Sequence, residues 1–167
     1  VSAWVILAAM ASTLVGTTAQ RMLFGWAGNT VQKDDIVLVW GGSGGLGSQA
    51  IQLVKQAKGI PVAVVSSADK GEYCVGLGAE GYIDRTEFDH WGIPPHWTDG
   101  PGQKEWTAGA RAFGGKLWEI VGKGRNPAIV FEHPGEDTIP TPTLVCEPGG
   151  MVVGCAGWVC VCAAIIV

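Results

Sequence analysis

Charge is scarce in this sequence: 11 Lys and Arg stand against 15 Asp and Glu in 167 residues, for a net charge of -4. Without a basic excess there is no electrostatic basis for binding nucleic acid or an anionic membrane, and neither is expected as a partner. Cysteines are few, odd in number and without paired spacing (Cys74, Cys146, Cys155, Cys160 and Cys162). That excludes a disulfide framework and suits a reducing, cytoplasmic compartment. Only three histidines occur, and His90 and His96 have no cysteine pair nearby, so no metal site is expected. Cys160 and Cys162 sit in an apolar stretch and read as buried thiols. Long apolar runs are also missing. Val1 to Ala11 is apolar except for Ser2, and Trp158 to Val167 is wholly apolar. Both fall short of the roughly 18–20 residues that span a bilayer, and the first lacks the basic start of a signal peptide. Both ends read as buried segments of a larger fold. No internal repeat or low-complexity linker is present.

What is present is an alternation of helical and strand patterns. Thr17 to Trp26 has Ala19, Met22, Leu23 and Trp26 at helical spacing, with Thr17 or Thr18 as a cap. Ile36 to Trp40 is a continuous apolar run, as in a parallel strand covered on both faces. Leu46 to Ala57 predicts a helix, Pro61 to Val65 a strand, Asp69 to Leu77 a helix and Gly81 to Asp84 a strand. A Trp- and His-rich insertion covers about residues 87–102. The spacing then predicts a helix over 103–121 that Gly114-Gly115 interrupts, a strand over 127–131, a short helix over 141–145 and a strand over 150–153. This rhythm predicts an α/β fold: a Rossmann-type, doubly wound parallel sheet with right-handed crossovers.

The first strand runs into Gly42-Ser43-Gly44-Gly45-Leu46-Gly47 and then a helix. A GxGxxG pattern alone is weak, but here it has the strand before and the helix after that the chemistry requires. Gly42 is expected to allow the tight turn, Gly44 to let the backbone approach a pyrophosphate, and Gly47 to let helix and strand pack closely. The helix amides then face the phosphates. The second strand ends in Ser66-Ser67, with Lys70 following and Arg85 after the third strand. An acid at that place would bind a ribose hydroxyl, whereas hydroxyls and cations suit a 2′-phosphate. Asp69 is the nearest acid, and it is placed to cap the next helix. The cofactor expected is therefore NADPH.

Glu132 and His133 fall at the carboxyl end of the fourth strand, where ligands bind in open α/β sheets. On position alone, His133 is a proton donor, a hydrogen-bond partner for a carbonyl or carboxylate, or a residue that only fixes its loop. Trp91, Trp97 and Trp106 read as packing residues, with an interface or pocket lining as the alternative.

The segment TLVGTTAQRML (residues 13–23) resembles the helix that enters the cofactor domain of medium-chain dehydrogenases/reductases. The segments LFGWAGNTVQ, VLVWGGSGGLGSQAIQLVKQA, GIPVAVVSS, KGEYCVGLGAEGYIDR, EFDHWGIPPHW and IVFEHPGEDTIPT resemble the crotonyl-CoA carboxylase/reductase family in particular. The resemblance runs from about Thr13 to Gly157. It implies reduction of a 2-enoyl-CoA by NADPH, with the enolate trapped by CO2, in a homo-oligomer, commonly a tetramer. His133 matches the family histidine that helps hold CO2 through a water, and Glu132 lies beside it. The family's other CO2-contacting groups belong largely outside the matched segment. The resemblance also implies a division of the chain: residues 1–35 link from the substrate domain, 36–157 form the NADPH-binding domain, and 158–167 are an apolar tail. Most of the substrate domain is absent, so the chain reads as part of a larger subunit. Two other readings fit the same residues: a zinc-independent enoyl or quinone reductase that protonates its product, and a nucleotide-binding module without catalysis.

Overall fold

The computed structural model describes residues 3–28, 30–135, 137–156 and 161–166, with side chains from residue 12 to 155. Twelve elements follow one another among the described residues. They are α1 (Ala3–Phe24), β1 (Ile36–Trp40), α2 (Gly45–Gln56), β2 (Ile60–Val65), α3 (Ala68–Gly76), β3 (Gly81–Asp84), a 3-10 turn (Arg85–Glu87), α4 (Gly100–Val121), β4 (Ile129–Glu132), α5 (Pro140–Val145), β5 (Met151–Ala156) and β6 (Val161–Ile166). The sheet order is β3-β2-β1-β4-β5-β6. The first five strands of that order are mutually parallel, and β6 pairs antiparallel with β5.

Every residue of β1 is buried, as a strand covered on both faces requires. Its side chains alternate between two cores. Val37 and Val39 pack with Met22 and Leu23 of α1, Ile51 and Val54 of α2 and Cys74 of α3. Ile36, Leu38 and Trp40 pack with Phe113, Leu117 and Val121 of α4 and Val145 of α5. Helices therefore cover both faces, which is the doubly wound arrangement the alternation implied. From β1 the chain steps to β2 and β3 on one side and returns to β4 on the other. The strand order reverses between β1 and β4, the position beyond whose carboxyl ends ligands bind in sheets of this kind.

The structure departs from the sequence expectation at several boundaries. α1 starts well before Thr17, because the apolar run from Ala3 continues the helix. Thr17 is not a cap: its hydroxyl donates to the Thr13 carbonyl one turn back, 2.7 Å away. α4 begins at Gly100, since Asp99 accepts from the Gly102 amide at 3.1 Å and Pro101 fits the first turn. Gly114-Gly115 does not break α4, as the helix is continuous through Val121. β6 is an additional strand within the apolar tail.

Candidate functional site

The glycine loop turns directly out of β1. The left-handed residue is Gly41, at φ 64°, not Gly42. Both Gly41 and Gly42 amides donate to the Val64 carbonyl, at 3.0 and 3.3 Å, which ties the turn to β2. Gly42 is needed for space: a Cβ there would lie 2.9 Å from the Ala63 Cβ and 3.1 Å from the Cys74 Sγ. Gly44 caps α2 in an extended conformation, and its carbonyl accepts from the Ser48 amide at 2.9 Å. A Cβ on Gly47 would overlap the Gly41 carbonyl and stand 2.8 Å from the Gly42 Cα, so only glycine lets α2 start this close to β1. Gly44 and Gly45 are exposed and carry no side chain, so the first-turn amides of α2 are open to an approaching anion. That cradle fits the pyrophosphate of a dinucleotide.

The second cluster lies at the ends of β2 and β3, which are adjacent and in register through Val65 and Asp84. Lys70 reaches back one turn and its Nζ donates to Ser66 Oγ at 2.8 Å. Ser67, not Asp69, is the N-cap residue of α3. Its hydroxyl makes no cap bond, and Asp69 falls in the first turn. Arg85 opens the 3-10 turn after β3 and is exposed. Asp84 accepts from Thr86 N at 2.9 Å and Thr86 Oγ1 at 2.7 Å. Those bonds hold its carboxyl below the usual value, and the charges of Arg85 and Lys70 act in the same direction. Both cations thus lie in the field of one side chain, at one edge of the sheet.

The third cluster follows β4. Glu132 is its last residue, 1% exposed, and its Oε1 accepts from Gly135 N at 3.0 Å and Thr138 Oγ1 at 2.7 Å. Burial pushes its carboxyl up to about 7, against the pull of its hydrogen bonds. His133 is exposed, and its Nδ1 donates to the Cys155 carbonyl of β5 at 3.3 Å. A carbonyl only accepts, so Nδ1 carries its hydrogen there and Nε2 is the nitrogen turned away from β5.

The insertion braces this loop. Gly92 N donates to the Asp137 carbonyl at 2.7 Å, and His90 Nε2 lies 3.1 Å from Thr141 Oγ1. His90 is buried, which lowers its tendency to take a proton. Trp91 meets Trp40 edge-on at 5.4 Å, and Gln103 of α4 donates to the Pro95 carbonyl. Trp91 is therefore packing, while Trp97 is 81% exposed. Among the described residues no three His, Cys, Asp or Glu side chains converge as metal ligands, and no helix is long and apolar enough to cross a membrane. An apolar groove between α4 and α5, bordered by Arg111, Trp118 and Leu144, shares no residue with the three clusters.

The glycine loop and the β4 loop therefore follow neighbouring strands at the same end of the sheet, and Ser66, Ser67, Lys70 and Arg85 lie one and two strands away from β1. Sequence reasoning missed Gly41, whose signal was the Gly-Gly pair after the strand. It missed Asp84, which directly precedes Arg85. It also missed Thr138, six residues beyond Glu132, which no local pattern marks.

Fold and loop together define a dinucleotide-binding α/β domain of the Rossmann type. No family model matches the sequence. The chain is 50% identical over 145 residues to a crotonyl-CoA carboxylase/reductase of Cereibacter sphaeroides, covering 87% of this chain and 34% of that protein. It is 40% identical over 148 residues to a crotonyl-CoA reductase of Streptomyces collinus, covering 89% of this chain and 32% of that protein. The structure superposes on crotonyl-CoA carboxylase/reductase AntE in complex with NADP at a TM-score of 0.84 and 57% identity, covering 86% of this chain and 35% of that one. This chain is thus a homologue of crotonyl-CoA carboxylase/reductases over their cofactor domain, and it spans about a third of the length of these relatives.

Proposed function

We propose that this chain is the NADPH-binding part of a cytoplasmic, homotetrameric enzyme that reduces a 2-enoyl-CoA and fixes CO2 into the product. With crotonyl-CoA the product is ethylmalonyl-CoA. The observation that carries this reading is the glycine loop lying beside the braced FEHPG loop, both within the segment shared at 50% identity. NADPH, when bound, supplies the hydride that reduces the β-carbon. The α2 amides orient its pyrophosphate, and Ser66, Ser67, Lys70 and Arg85 take its 2′-phosphate. His133 accepts a hydrogen bond at Nε2 from a water that holds CO2. The resulting enolate takes either a proton or CO2 at its α-carbon, so keeping water out and CO2 in place favours the new carbon–carbon bond.

The name of the Streptomyces collinus relative favours one rival, reduction without carboxylation. The full-length enzyme, supplied with crotonyl-CoA, NADPH and labelled bicarbonate, separates the two. Label in the acyl-CoA product is expected, and unlabelled butyryl-CoA alone would support the rival. In His133→Asn, reduction persists while the carboxylated fraction falls. An unchanged product ratio would contradict the role given to His133.

A further inference from the structure

The loop that carries His133 is held by one buried carboxyl group. Glu132 Oε1 gathers the Gly135 amide and the Thr138 hydroxyl, which closes residues 132–138 into a ring. The Thr138 amide donates to the Gly135 carbonyl at 3.0 Å, and the Thr138 hydroxyl oxygen lies 3.0 Å from the same carbonyl. The other oxygen, Oε2, is buried with no partner among the described residues. On β1, Trp40 is next in register and on the same face, and its Nε1 is also buried and unpartnered. The insertion closes the loop from outside through Gly92 and Asp137.

A buried carboxylate is normally met by a cation or by several donors. No charged side chain among the described residues offsets this one: burial opposes its charge, and only Gly135, Thr138 and the His133 amide favour it. Trp40 from β1, Gly154 from β5 and Thr138 and Thr141 around α5 carry no charge. From the insertion His90 is engaged with Thr141, from α4 Lys104 and Arg111 remain exposed, and on the loop Asp137 is exposed and His133 points its ring to β5.

We propose that Glu132 is the positioning residue of His133: its carboxyl group gathers Gly135 and Thr138 and so sets the turn that presents the imidazole beyond the end of β4. The inference rests on the CO2 role given to His133 above. Ionisation puts a charge, shared by both oxygens, on a buried carboxylate with no cation beside it among the described residues, and the loop relaxes to solvate it. The carboxylated fraction should therefore fall as pH rises through about 7, near the titration of this group.

The test uses the full-length enzyme with dissolved CO2 held constant, reading labelled against unlabelled acyl-CoA from about pH 6 to 8, across the raised carboxyl value. His133→Asn serves as the reference. Glu132→Gln, which mimics the neutral acid, should flatten the pH profile of the product ratio. Glu132→Ala removes the acceptor of two hydrogen bonds and should lower the carboxylated fraction by more than the roughly fivefold of a single neutral bond, while NADPH affinity changes less than about twofold. Thr138→Val keeps the volume, removes one donor and should fall between wild type and Glu132→Ala, so the claim stands even where alanine prevents folding. If wild type and His133→Asn differ but the Glu132 and Thr138 variants keep the wild-type ratio and profile, the positioning role is wrong. If wild type incorporates no label, the carboxylation reading fails and the positioning role with it.

Discussion

The carboxyl ends of β2 and β3 hold charge in water, whereas the carboxyl end of β4 holds it in the core. Lys70 and Arg85 are exposed, and the partners they have are a hydroxyl at 2.8 Å and the field of Asp84. Such charges are screened and inexpensive to keep, and they become valuable when a ligand with several negative oxygens arrives. Glu132 is 1% exposed, with one oxygen bonded and one unpartnered. There a charge is costly, so the group answers to pH instead of to salt. One edge is built to receive a ligand, and the other to hold a loop still.

The largest expected effect breaks that comparison on the buried side. The folded pKa of Glu132 lies above its unfolded value, about 7 against 4.5. The native state therefore binds a proton that the unfolded chain has lost between those values. Stability from this group is full below about 4.5 and is lost as pH rises to about 7, by on the order of 3 kcal/mol. Across that range the unfolding free energy from denaturant melts should fall by about 3 kcal/mol more in wild type than in Glu132→Gln. Parallel curves would mean that Glu132 is ionised in the fold. Between the two edges lies the glycine loop, where the effect is steric. Gly47→Ala drives a methyl into the Gly41 carbonyl. It should destabilise the protein by about 1–3 kcal/mol and lower NADPH affinity along with it. Retained stability and affinity would show that α2 can shift outward without loss.

The parts legible in the sequence are those with a strong local pattern. The run Ile36 to Trp40 fits a buried parallel strand, as it proves to be, and the glycine spacing placed α2 within one residue of its start. The parts that were not legible depend on partners distant in sequence. Gly42 reads as a turn residue until Ala63 and Cys74 are seen packed over it, which passes the turn to Gly41. Thr17 reads as a cap until the helix before it is seen to continue. Ser67 takes the cap position expected of Asp69 because α3 starts one residue earlier, at Ala68. Thr138 carries no pattern at all, and its importance comes from the burial of Glu132, which only the sheet determines.

The exposed edge is tested by titrating the protein with NADPH and NADH at fixed ionic strength, for wild type and Lys70→Ala. Wild type should prefer NADPH. Lys70→Ala should weaken NADPH by about 1–2 kcal/mol, as expected for an exposed charged hydrogen bond, with little change for NADH. Equal weakening of both, equal affinity for both in wild type, or no binding of either would contradict the assignment of this edge to the 2′-phosphate of NADPH.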